Sequence, residues 1–182
     1  NRRGQLGDNT TTTRNAPVAV MGLTDAVLLT AGLRHACAYS LSRGIVCWGE
    51  NLSGQLGDGT TVNRSTPVVV PGFMVPQRVL TAYDHHTCAV GNDNRVQCWG
   101  GNTFGEANGG TELSPTPRAV QFGGADLEGL VDLQVGQAQT YALMATTQWR
   151  CALHRDGRVF CWGTSVTGNE SGQLGDGTTT QR

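Results

Sequence analysis

The 182-residue chain contains no lysine: all 13 of its basic residues are arginine. A Walker-type phosphate loop, which needs a lysine, is therefore excluded. No run of 18 or more apolar residues occurs, so no segment reads as a membrane-spanning helix. The formal net charge is only −1, which gives no electrostatic ground for a nucleic-acid partner. No charged-then-apolar stretch opens the chain, and its first residue is Asn1. The expectation is a processed or incomplete chain whose signal peptide was removed or lies outside it. An all-arginine basic set reads as GC-rich coding bias and points to a bacterial source.

Glycine is abundant. It supplies 26 of the 182 residues, about twice the usual share of ~7%, as tight turns between short segments require. The turns belong to a repeat. "GQLGD" occurs at residues 4–8, 54–58 and 172–176, with a degenerate "FGEANGG" between the last two, Gly105 standing in the place of Gly54. The period is about fifty residues, longer in the third unit, and the units are read as 4–53, 54–104 and 105–171, with 172–182 beginning another. Such self-similarity decides the architecture. Within the second unit follow "TPVVV", "RVLTAY", "HTCAV" and "RVQCWG". These runs are short, β-branched and bounded by Gly, Asn, Asp or Pro, which is strand punctuation. Four short strands per unit is the pattern of a β-propeller blade. The best helix candidate, "DLEGLVDLQV", is broken by Gly129.

The residues Gly54, Gln55, Leu56, Gly57, Pro67, His86, Ala89, Val96, Trp99 and Gly100 resemble the repeat of the regulator of chromosome condensation family. The resemblance implies an all-β propeller, usually of seven blades. Seven such units need roughly twice this length. Either the sequence is a window onto a longer chain, or copies associate to close a ring or stack. A three-blade wedge alone leaves hydrophobic faces uncovered and should be marginal.

Cysteines occur as three pairs: Cys37 and Cys47, Cys88 and Cys98, Cys151 and Cys161. Their spacing does not match short zinc knuckles, and a catalytic nucleophile would not recur in every unit. Each pair flanks a turn, so that facing residues of a hairpin can bridge; Cys37 shares a face with Tyr39, and Cys47 with Ile45. The expected pairings are Cys37–Cys47, Cys88–Cys98 and Cys151–Cys161. The alternative is a row of reduced, buried cysteines that fill space. Bridged, they place the protein outside the reducing cytosol: extracellular, on the cell surface or periplasmic.

No catalytic, metal or cofactor site is assigned. His35 and His86 sit two residues before the first cysteine of their units and read as structural, since Trp149 replaces them in the third. Asp8, Asp58 and Asp176 are expected to accept backbone N–H bonds within their turns; a cation held by these Asp-Gly-Thr loops is the alternative. Trp48, Trp99 and Trp162 close the hairpins and are expected to pack between blades. His85 and His154 lack a defined partner. Asn9, Asn51, Asn63 and Asn169 begin Asn-x-Ser/Thr sequences, which are glycan acceptors in a eukaryotic secretory product and by-products of Thr-rich turns otherwise.

The functional lead is where the repeat breaks. Between Gly136 and Trp149 the third unit inserts "QAQTYALMATTQ", and insertions on a rigid repeat scaffold map to loops that bind. Tyr141, Leu143, Met144 and Trp149 are the candidate binding residues; the alternative is that they lengthen a strand or close a blade edge. The expected function is an extracellular module that binds a protein or carbohydrate through rim loops, without catalysis. A self-associating structural element is the competing reading. The family resemblance also allows guanine-nucleotide exchange, against which the inferred compartment argues. An enzyme with its site on the insertion is the third class.

Overall fold

The computed structural model describes residues 1–74, 77–101, 113–122, 125–139, 146–162 and 177–179; for residues 77, 122, 134–139 and 146–150 it describes the backbone. Among the described residues there is no helix, and the first two sheets have the same plan. One consists of β1 (Ala26–Ala31), β2 (His35–Ser40), β3 (Gly44–Gly49) and β4 (Arg64–Val69), antiparallel and in sequence order. Another repeats it with β5 (Gln77–Tyr83), β6 (His86–Gly91), β7 (Val96–Gly100) and β8 (Ser114–Ala119). A short ribbon of β9 (Gln121–Phe122) and β10 (Ala125–Asp126) leads to a three-stranded sheet of β11 (Leu130–Gln139), β12 (Thr146–His154) and β13 (Val159–Trp162). The three sheets are blades of a partial β-propeller. Strand β5 neighbours both β1 and β11, and the three form its inner edge, with β4 and β8 outermost.

Blades and sequence repeats are out of phase. The Pro-Val run that follows "GQLGD" at 54–58 is β4, which pairs with β3 and completes the preceding sheet. The loop at 54–58 therefore leaves and re-enters the first blade, and on the way it reaches the second, where Trp99 donates to the Gln55 carbonyl.

Alternation along the strands builds two cores from one hairpin. Cys37, Tyr39, Ile45 and Cys47 face the second blade and pack with Leu56, Val70, Phe73, Ala89 and Trp99. Ala36, Ala38, Val46 and Trp48 face the other way, onto Val20 and Leu23. The second blade repeats this: Cys88, Val90, Val96 and Cys98 meet Leu127, Leu130, Leu133 and Ala152 of the third. Cysteines stand opposite one another in the ladder and form three disulfides, Cys37–Cys47, Cys88–Cys98 and Cys151–Cys161.

The loop motif has a physical reason at each position. Asn51 is fully buried; its amide donates to Asp58 and the Thr60 carbonyl while its oxygen accepts from the Leu56 N–H. Asp58 accepts from the Thr60 N–H and hydroxyl and from Arg64, and Asp8 does the same with Thr10 and Arg14. Burial raises the Asp58 pKa, but these donors outweigh it and hold the carboxyl below its usual value. For Asp8 the Thr10 hydroxyl is the largest cause of a lowered value. Donors thus occupy the carboxylates that a cation would need, and among the described residues no three His, Cys, Asp or Glu side chains converge as metal ligands. Asp176 lies outside the described residues. The buried, fully bonded Asn51 is also no glycan acceptor in the folded chain.

Gly57 closes the loop at φ +71°, and a β-carbon there would stand 2.7 Å from the Trp99 indole nitrogen. That indole donates to the Gln55 carbonyl at 3.0 Å; Trp48 repeats the bond to Gln5 at 3.1 Å. Trp48 and Trp99 therefore clamp the loops at 4–8 and 54–58. Trp162 packs against the core between the second and third blades.

Candidate functional site

All the hairpins that begin β2, β6 and β12 turn on one rim. The first two turn tightly: the last ladder pair of the second blade is Tyr83↔His86, joined by Asp84 and His85. In the third blade the corresponding pair is Gly136↔Trp149, but the ladder runs on through Gln137↔Gln148, Ala138↔Thr147 and Gln139↔Thr146. Residues 137–139 and 146–148 of the insertion thus lengthen the two strands. Three further pairs carry it roughly 10 Å beyond the neighbouring turns. Its twelve residues, 137–148, include no charged side chain. Of the candidate binding residues, Trp149 lies in β12 at the base of this extension, its side chain outside the described residues. Tyr141, Leu143 and Met144 lie outside the described residues altogether.

The same rim carries an ion-pair cluster at the seam between the first and second blades. Glu50 follows β3 and is 1% exposed. Its Oε1 meets Arg3 Nε at 3.0 Å and Arg34 at 3.5 Å, and its Oε2 lies 3.6 Å from His85 Nδ1. On the other side His85 Nε2 is 3.3 Å from Asp84. A carboxylate this deep needs cationic partners to offset its desolvation. Asp84 has φ +34°, in the left-handed region that Asp tolerates better than most residues. This two-residue turn holds His85 over Glu50. Strained backbone of this kind concentrates at functional positions.

Repeat equivalence shows what is unusual. The Glu50 N–H bonds the Arg34 carbonyl just as the Gly101 N–H bonds that of His85, so Glu50 corresponds to Gly101 and Arg34 to His85. Likewise Arg3 corresponds to Ser53, since both donate their N–H to the glutamine of the loop. The cluster therefore replaces ordinary repeat residues. Sequence reasoning missed it because residues 3, 34, 50, 84 and 85 each look like solvated surface; a position-by-position comparison of the units would have marked Glu50 against Gly101.

The two repeat histidines are structural. His35 and His86 are buried, and His35 Nε2 lies 2.9 Å from Thr87 Oγ1 across the blade seam. Desolvation, with His85 nearby, lowers the His35 pKa to about 4, so the ring is neutral.

On the opposite rim His154 lines an open cleft of about 470 Å³ with Asp126, Glu128, Arg158 and Phe160. Its Nδ1 is 2.6 Å from Asp156, and its ring stands edge-on to Phe160. Asp156, hydrogen-bonded first by the Arg158 N–H, titrates at about 2.

Comparison with known proteins agrees with the geometry. Models of the regulator of chromosome condensation (RCC1) repeat match residues 45–90 and 80–106. Human WBSCR16 superposes with a TM-score of 0.67 at 20% identity, over 99% of this chain and 44% of that one. Yeast RCC1 (Prp20), in its structure bound to Kap60, gives 0.67 at 18% identity, over 99% and 41%. Prp20p from Saccharomyces cerevisiae, characterised for its binding to Gsp1p and histones, gives 0.56 at 23%, over 82% and 34%. The chain thus spans less than half the length of each of these structures.

Proposed function

We propose that this chain, whose residues 45–90 and 80–106 match models of the regulator of chromosome condensation (RCC1) repeat, binds a protein partner through the rim bearing the β11–β12 hairpin. The observation that carries this reading is the ladder continued past Gly136↔Trp149. A blade needs no such extension, as the first two show, and an uncharged hairpin standing roughly 10 Å proud offers backbone and apolar contact to another surface. Tyr141, Leu143, Met144 and Trp149 are its proposed contact residues. Yeast Prp20, which shares the fold, is bound by Kap60, which supports a protein rather than a glycan as the partner class. Three disulfides fit an oxidising compartment, and we place the binding event outside the cytosol, on a cell surface, in a periplasm or in the medium. No catalysis is assigned to either rim.

The test is site-specific photo-crosslinking in extract from the native source. A crosslinker at Gln139 should capture one protein, and the same probe at Arg155 on the opposite rim should not. Equal capture from both positions, or capture from Arg155 alone, would overturn the reading.

A further inference from the structure

We propose that Arg3 and Arg34, held side by side by the buried carboxylate of Glu50, form the docking point for an acidic peptide segment of the partner protein. This rests on the reading that the hairpin rim is the binding face, and it adds the chemistry that the rim selects.

Charge at the seam is sorted by depth. Glu50 is 1% exposed and Asp84 is buried, whereas the Arg3 and Arg34 side chains are 41% and 50% exposed, and Arg2 beside them is exposed too. A partner approaching this rim meets cations, with the compensating anions behind them. Each guanidinium has five N–H donors. Arg3 spends Nε on Glu50, and Arg34 spends one terminal nitrogen; among the described residues neither meets a second acceptor. Both side chains remain partly exposed, and a guanidinium's forked donors suit a carboxylate.

Folding does not require this arrangement. At the equivalent positions of the next unit stand Ser53, His85 and Gly101, and that blade forms the same four-stranded sheet. Two adjacent guanidiniums repel, and a buried carboxylate whose one oxygen contacts both keeps them together. That is preorganisation, which lowers the ordering cost of binding.

A peptide suits the site better than an extended polyanion. Nucleic acid or a sulfated glycan follows a stripe of basic residues. This cationic point is compact, and the neighbouring hairpin on the same rim is uncharged over residues 137–148. A short acidic segment meeting Arg3 and Arg34 at this one point matches that pattern.

The test titrates three probes into the whole chain and follows the arginine Nε–H and backbone amide resonances by NMR: capped hexaglutamate, a heparin hexasaccharide and inorganic phosphate. The account expects saturable shifts at Arg3, Arg34 and His85 with hexaglutamate, and no shifts with capped hexaglutamine. R3Q and R34Q should each weaken hexaglutamate about tenfold, the scale of one lost charged hydrogen bond. R158Q on the opposite rim should leave it unchanged, and folding of each variant is checked by the dispersion of the same spectra. Affinity for hexaglutamate that is equal in wild type and R34Q, or no shift at all, overturns the proposal. So does preference for the heparin fragment through the same arginines, or phosphate binding as tightly as the peptide. The two readings fail separately: if Gln139 crosslinks a partner while hexaglutamate does not bind, the rim stands and the acidic specificity falls.

Discussion

Thr87 Oγ1 lies 2.9 Å from His35 Nε2 across the seam between the first two blades, and the same hydroxyl donates to the Gln55 carbonyl at 2.9 Å. Because that hydroxyl proton is committed to Gln55, Thr87 accepts from His35, which fixes the Nε2–H tautomer. The Gln55 carbonyl also accepts from Trp99, so one loop joins both blades. Thr87→Val keeps the shape and removes the bridge, leaving a buried N–H unmet. The expected cost is about 1–3 kcal/mol in urea unfolding, with Thr87→Ser retaining most of the stability. A valine variant as stable as wild type would remove this bond from the account.

The buried His35 makes stability pH-dependent in a defined direction. Desolvation lowers its folded pKa to about 4, against about 6.5 in an unfolded chain. Between those values the unfolded chain takes a proton that the folded one refuses. The contribution is therefore complete above about pH 6.5 and is lost as pH falls towards 4, by up to about 1.4 kcal/mol per unit. Urea midpoints of wild type and His35→Gln should converge as pH falls from about 7 to about 4.5. A constant gap would contradict a neutral, buried His35.

Two glycines separate steric from conformational demand. Gly57 and Gly72 both have positive φ, at +71° and +91°, but only Gly57 faces the Trp99 indole; nothing stands within 4 Å of a β-carbon at Gly72. Gly72→Ala should cost about 1–2 kcal/mol, the ordinary left-handed penalty. Gly57→Ala should cost clearly more and shift Trp99 fluorescence. Equal losses in thermal unfolding would mean that the clamp is looser than described.

The disulfides each span ten residues, and closing so short a loop stabilises by about 2.5–3 kcal/mol in the chain-entropy picture. Replacing Cys88 and Cys98 together by alanine should lower stability by that order while the other two bridges persist. Intact mass after alkylation without reduction checks the pairing: six blocked thiols would contradict it.

Much of this architecture is written in the repeat. Recurrence of "GQLGD" and of the cysteine pairs anticipates the blade plan, and alternation places Cys37 with Tyr39, and Cys47 with Ile45, on one face. The strand phase is not legible, because nothing local says that Arg64–Val69 pairs backwards with β3 rather than forwards. In the folded chain the loop that leads into β4 is held under Trp99. The insertion at 137–148 shows in the sequence as excess length, and only pairing reveals that 137–139 and 146–148 lengthen the ladder. The Glu50 cluster was silent because it joins residues 3, 34, 50, 84 and 85 through space, and no local pattern marks a carboxylate that will be buried.

The most direct measurement of the central claim is the affinity of the crosslinked partner for three forms of the chain, by surface plasmon resonance. These are wild type, a form with residues 137–148 replaced by Asn-Gly, and the opposite-rim double variant D156N/R158Q. The trimmed hairpin should lose at least about a hundredfold in affinity, roughly 2.7 kcal/mol, and the opposite-rim variant should lose none. Full affinity in the trimmed form, or loss confined to the D156N/R158Q variant, would contradict that claim.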